Sequence, residues 1–160
     1  MAVRRNSTEA AFRARFQQDS PAAAPAARRL LDWAKANALR LRPSAGPTHD
    51  TLLGALILAN DHKIFQLETN GLLWVLFAEL ARRFPTTDPS ATARFISDLR
   101  RRLDGVRGGR AKPGSEQSKA SWKLALTDEV ALIGVLDWLV AELRRHHKDL
   151  LDSQRKRREG

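Results

Sequence analysis

The sequence predicts an α+β domain: an antiparallel sheet of about four or five strands with helices packed on it, an N-terminal helical segment and a basic C-terminal tail. Three observations carry this. Apolar residues recur at helical spacing near both ends of the chain, around Leu30 and around Leu136. Between those ends, residues 51–80 break into apolar runs at Asn60-Asp61-His62 and at Thr69-Asn70-Gly71, and Asn-Gly between such runs is a strong hairpin signal. A Pro-initiated helical pattern follows Asp88, and one further alternating run precedes the closing helix. At 160 residues the chain is one domain with tails. The boundaries expected are a disordered tail at 1–6, the domain at 7–150 and a flexible basic tail at 151–160.

Each element has a local reason. Ser7 or Thr8 caps a first helix running to Gln18, with Phe12 and Phe16 on its inner face at i, i+4. Ser20 and Pro21 fit the N-cap and N1 of a second helix reaching about Ala38, whose stripe is Ala27, Leu30, Leu31, Ala34 and Ala38. Leu39-Arg40-Leu41-Arg42 alternates as a short strand does, and Pro43 to Pro47 reads as a loop. Strands are expected at about 51–59, 62–68 and 72–79, with a helix over 72–83 as the alternative for the last. In the middle strand, Lys63, Phe65 and Leu67 form the more apolar face. Asp88-Pro89 opens a helix with Thr92, Phe95, Ile96, Leu99 and Leu103 inward and Gly105 at its C-terminal end. Residues 105–115 form a Gly-rich basic loop. Trp122, Leu124 and Leu126 share one side of a strand at 121–126, and Thr127 caps a last helix buried through Leu132, Leu136, Leu139 and Leu143.

Composition excludes several classes. Cysteine is absent, so there is no disulfide scaffold, thiolate metal site or cysteine nucleophile. No apolar run approaches the ~20 residues of a spanning helix, and no hydrophobic signal segment follows the charged start, so a cytoplasmic protein without a membrane role is expected. Lys+Arg total 28 against 18 Asp+Glu, a net charge of +10, which speaks about partners. The charge is uneven: residues 50–80 hold one Lys against four carboxylates, whereas residues 81–123 hold eleven basic side chains against four acidic.

Arg28-Arg29-Leu30-Leu31-Asp32-Trp33-Ala34 near the start and Val135-Leu136-Asp137-Trp138-Leu139 near the end resemble the opening and closing helices of a family of uncharacterised bacterial α+β domains. The resemblance covers roughly residues 10–146 and includes the Phe84-Pro85 turn before a helix. It implies a fold and no reaction. Members sometimes accompany restriction or nuclease modules, an association that hints at nucleic-acid work. The two Leu-Asp-Trp triplets are expected to anchor the core, with Asp32 and Asp137 exposed or paired with an Arg.

No catalytic set assembles, so no enzyme, cofactor or metal is expected. Adjacent His146 and His147 point about 100° apart on a helix and share one ion poorly. Asp50, Asp61 and Glu68 could hold Mg²⁺ on neighbouring strands, but Glu68 lacks the x-Lys partner of that nuclease pattern. Gly105-x-x-Gly108-Gly109 follows a helix instead of opening one, so it lacks the N–H groups that bind phosphate.

Basic surface remains. Arg94, Arg100, Arg101 and Arg102 on the middle helix, Arg107, Arg110 and Lys112 in the loop, Lys119, and Arg155, Lys156, Arg157 and Arg158 in the tail could form one stripe. The expected function is non-catalytic, weakly sequence-specific binding of nucleic acid, DNA foremost, as an accessory domain. The alternative is protein–protein interaction or self-association through an apolar strand edge near Leu72–Phe77.

Overall fold

The computed structural model describes residues 8–110 and 119–159, with Gly109 and Arg110 given by their backbone. The expected α+β class is present. Helices α1 (Glu9–Asp19) and α2 (Ala24–Ala36) lead into strands β1 (Arg40–Ser44), β2 (Thr51–Ile57), β3 (Asp61–Glu68) and β4 (Leu72–Leu76). Helices α3 (Phe77–Arg82) and α4 (Pro89–Asp104) follow, then β5 (Gly109–Arg110), β6 (Lys119–Lys123) and α5 (Glu129–Glu159). The strands form one antiparallel sheet in the order β1-β2-β3-β4-β6-β5, so the two-residue β5 extends a sheet of five longer strands.

One face of this sheet is the core. Its register lines up Pro43, Leu52, Leu67, Leu73 and Trp122 across β1, β2, β3, β4 and β6, and the last four are buried. Helices α1, α2 and α5 bury Phe12, Phe16, Leu30, Leu31, Leu136 and Leu139 in the same cluster. Small residues on α2, namely Ala26, Ala27 and Ala34, permit close approach of its backbone. Gly54 is needed because the Phe65 ring lies across it; a Cβ there would sit 2.3 Å from a ring carbon. Gly71 takes φ +88° in the β3–β4 turn, as the Asn-Gly signal requires.

Several local expectations are corrected. The β2–β3 register shifts between Gly54 and Ala55, so Ile64 is the extra residue of a bulge. Ile64 and Phe65 are therefore both fully buried, and Lys63 leaves the apolar face that strict alternation gave it. Helix α2 stops at Ala36, and Ala38 turns left-handed at φ 59°. Ser20 precedes a 3₁₀ turn at Pro21–Ala23, and its Oγ donates to the Thr69 carbonyl instead of capping a helix. Pro43 and Ser44 belong to edge strand β1. The run 72–79 is neither all strand nor all helix: β4 ends at Leu76 and α3 begins at Phe77. Gly105 ends α4 with ordinary right-handed geometry, φ −77°. Beyond Lys123 the chain makes a 3₁₀ turn, which leaves Leu126 exposed. Asp128, not Thr127, caps α5 by accepting from the Ala131 N–H. Helix α5 continues to Glu159, so the tail expected to be flexible is helical through its basic cluster. The expected disordered segment 1–6 lies outside the described residues.

Candidate nucleic-acid interface

The single stripe drawn from sequence divides in three dimensions. On α4, Arg100 lies over the Phe77 ring at 4.7 Å and Arg102 over the Trp138 ring at 4.4 Å. Arg101 pairs with Asp98 at 2.8 Å, and Arg94 reaches Ser90 and Asp88 at 3.4 and 4.0 Å. Each of the four thus has a contact within the fold, although Arg94 and Arg101 stay more than 70% exposed. Arg107 is exposed after α4, Arg110 occupies β5, and Lys112 lies outside the described residues. The tail cations Arg155, Lys156, Arg157 and Arg158 are exposed at the far end of α5. At 1.5 Å per residue, Arg155 lies roughly 18 Å beyond Leu143, the last buried residue of that helix. Helices α4 and α5 run antiparallel: Asp128 N–H donates to the Arg107 carbonyl at one end, and Phe84 meets His146 at the other. The tail therefore points away from the C-terminal end of α4.

The sheet face opposite the helices sets Lys119, a candidate from sequence, beside Arg40, Arg42, Lys63 and Lys123, which were not candidates. Register places Arg42, Leu53, Gln66, Trp74 and Ser121 in one row across β1, β2, β3, β4 and β6. Arg40 and Lys63 flank Ala55 in the neighbouring row, and Lys119 and Lys123 flank Ser121 along β6. Leu53, Leu72, Trp74 and Leu76 are half-buried and do not belong to the core cluster. Lys119 holds its ammonium 4.7 Å from the centre of the Trp74 ring. The carboxylates here are Asp61, 2.6 Å from Arg42, and the buried Glu68, 3.1 Å from His49. At the α3 end, Lys63 stands 4.0 Å from Glu79, whose pKa is held below the usual carboxylate value chiefly by a hydrogen bond from Arg82. The signals were present in Arg40-Leu41-Arg42 and Lys119-Ala120-Ser121-Trp122-Lys123: alternation that puts apolar residues inward also puts cations together outside.

The candidate magnesium carboxylates do not meet. Asp50 accepts from Arg15 at 2.7 Å and from the Gly46 N–H, whereas Glu68 and Asp61 occupy opposite ends of β3. Among the described residues, no three His, Asp or Glu side chains are arranged to hold a metal. No helix of the described residues is long and apolar enough to cross a membrane. The Leu-Asp-Trp triplets meet each other: Asp32 and Asp137 are exposed, as one of the two expectations had it, and Trp33 Nε1 donates to Asp137 at 3.2 Å. Trp138 stacks on Phe95 at 5.7 Å.

No protein-family profile, curated protein or solved structure matches this chain.

Proposed function

We propose that the chain is a non-catalytic nucleic-acid-binding domain, acting on DNA in a bacterial cytoplasm and reading backbone more than sequence. The observation that carries this reading is the convergence of Arg40, Arg42, Lys63, Lys119 and Lys123, from three different strands, on the sheet face that the helices leave unused. Such a surface attracts a polyanion and releases its counterions, so affinity depends on salt. The cations of α4 and the α5 tail add long-range attraction, with fewer direct contacts than the sequence implied. The kinship with the Leu-Asp-Trp domain family is likewise a proposal, resting on the two triplets that bond to each other here.

The test is anisotropy of labelled random-sequence DNA, single- and double-stranded, at about 50 and 200 mM salt. Steep salt dependence, blunted by Arg42→Glu with Lys123→Glu more than by Arg101→Ala, is expected. No binding of either form at the lower salt overturns the reading.

A specific observation favours self-association as the second reading. Leu126 and Val130 are exposed by 67% and 78% beside an open cleft of about 600 Å³ lined by Pro21, Ala22, Leu72 and Ala125. This replaces the apolar edge expected near Leu72–Phe77, because β4 lies inside the sheet between β3 and β6. Concentration-dependent sedimentation abolished by Leu126→Ser with Val130→Ser would support it.

A further inference from the structure

We infer that the ligand of the sheet face is a single strand of DNA, one of whose bases stacks on Trp74. The inference deepens the nucleic-acid reading and rests on it. The face is a sheet with short reach: Leu53, Gln66, Trp74 and Ser121 form its floor in one row, and none stands on a helix or ribbon able to enter a duplex groove. An unpaired base needs no such reach, because it offers its ring face directly to an aromatic platform.

Trp74 has the position of such a platform. It lies in β4, near the middle of the sheet, and alternates with Leu73 and Val75, which are fully buried in the core. Trp74 itself is half-buried outside that core. Its Nε1 is shielded from solvent and has no hydrogen-bond partner among the described residues, so packing rather than polar bonding holds the ring. Gln66 and Ser121 are its direct cross-strand neighbours and supply donors and acceptors for the edge of a stacked base.

The cations surround this floor. Lys119 and Lys123 bracket Ser121 along β6, roughly 13 Å apart at the usual rise of a strand. Arg42 lies three strands from Trp74 on the other side, about 14 Å away at the usual strand spacing. A strand crossing the floor thus meets Lys119 and Lys123 on one flank and, on the other, the exposed Arg40 beside the Arg42–Asp61 pair. Lys119, now over the Trp74 ring, occupies the place of the base. Stacking exchanges this exposed cation–π contact, the weaker of the two interactions, for a base–indole contact and frees the ammonium for a phosphate.

The experiment is anisotropy of a labelled oligothymidylate of about 12 nucleotides, within the range of single-strand site sizes, beside a duplex of equal length. The expected result is tighter binding of the single strand. Trp74→Leu lowers that affinity about tenfold or more, Trp74→Phe retains most of it, and duplex binding changes little in either. Lys119→Gln and Lys123→Gln each shallow the salt dependence by about 0.7 in log–log slope. Thermal melts identify any variant that has not folded; the Phe and Gln variants then carry the test. Duplex bound as tightly as the single strand, or Trp74→Leu binding like the parent, overturns this inference and leaves the broader reading standing. Tighter binding of an oligouridylate, or equal competition by polyglutamate, also overturns it. Absence of binding to either DNA form overturns both.

Discussion

The two faces of the sheet come from the same strands in the same register, and they differ in almost everything else. On one, Leu52, Leu67, Leu73 and Trp122 lie side by side under α2 and α5 with no solvent exposure to speak of. On the other, one residue along, Leu53, Gln66, Trp74 and Ser121 are half-exposed and ringed by cations. A period of two lets a single stretch such as Lys119–Lys123 serve both: Ala120 and Trp122 inward, Lys119, Ser121 and Lys123 outward. The comparison teaches that folding constraint falls on one face and leaves the other free to be selected for a partner.

Substitutions on the core face are expected to have the largest effect on stability. Leu67→Ala removes a fully buried side chain from the centre of the row and should cost about 2–5 kcal/mol in urea unfolding. Gly54→Val should approach that loss, since even a Cβ meets the Phe65 ring at 2.3 Å. If either variant melts like the parent, the row from Pro43 to Trp122 is not the centre of the core.

Acid provides a second probe of the same face. His62 is buried beside the bulge, and its pKa is lowered first by burial, then by the nearby charges of His147 on α5 and Arg83 after α3, with Asp61 opposing. A histidine held neutral by the fold binds its proton more readily when unfolded. Stability from this group is therefore full above the unfolded value near 6.5 and falls as pH drops from there toward the lower folded value. Urea midpoints measured between about pH 7.5 and 5.5 should decline, and His62→Leu should flatten the decline. A parent whose midpoint does not fall over that interval would contradict it. Glu9, whose burial is outweighed by Lys35 and Arg13, and Glu79 and Asp88, lowered first by hydrogen bonds from Arg82 and Ser90, lose their contributions as pH falls from the ordinary carboxylate values toward the lower folded ones, so the two windows separate.

Much of the core face was legible in the sequence, because periodicity reports burial. Phe12 and Phe16, the α2 stripe from Ala27 to Ala34, Asn70-Gly71 and the Asp88-Pro89 start all stand where spacing and capping chemistry put them. Features that depend on tertiary partners were less legible. The bulge at Ile64 is set by the register of two strands, and no local signal distinguishes it from simple alternation. The break from β4 into α3 at Phe77 falls within one apolar run, where both periods fit. The site was the least legible, because counting arginines along α4 cannot show that Arg100 and Arg102 are spent on Phe77 and Trp138. Nor can charge density show that Arg40, Arg42, Lys63 and Lys123, scattered over more than eighty residues, share a face.

Between the two faces in expected effect stands the contact joining the triplets. Asp137→Ala removes the acceptor of Trp33 Nε1 at the exposed junction of α2 and α5. A loss of about 0.5–1.5 kcal/mol is expected, and Trp33→Phe combined with it should add little further polar loss. Full additivity of the two would mean that the bond contributes nothing.

The smallest effect on stability is expected where the effect on binding is largest. Lys123→Gln alters an exposed side chain at the end of β6, so its urea midpoint should shift by no more than about 0.5 kcal/mol. The same is expected of Arg40→Gln on edge strand β1, whose charge and neighbouring Pro43 also discourage unwanted strand pairing. The two positions lie on opposite margins of the sheet, separated by the whole Leu53–Trp74 floor. If a polyanion crosses that floor, each substitution weakens binding without unfolding the domain, and the two losses add because the sites share no partner. If binding instead belongs to the α5 tail, both leave it unchanged and deletion of residues 152–160 removes it. A comparison of those three variants by melt and by anisotropy therefore decides whether the second face of the sheet is merely solvated or is the surface the protein uses.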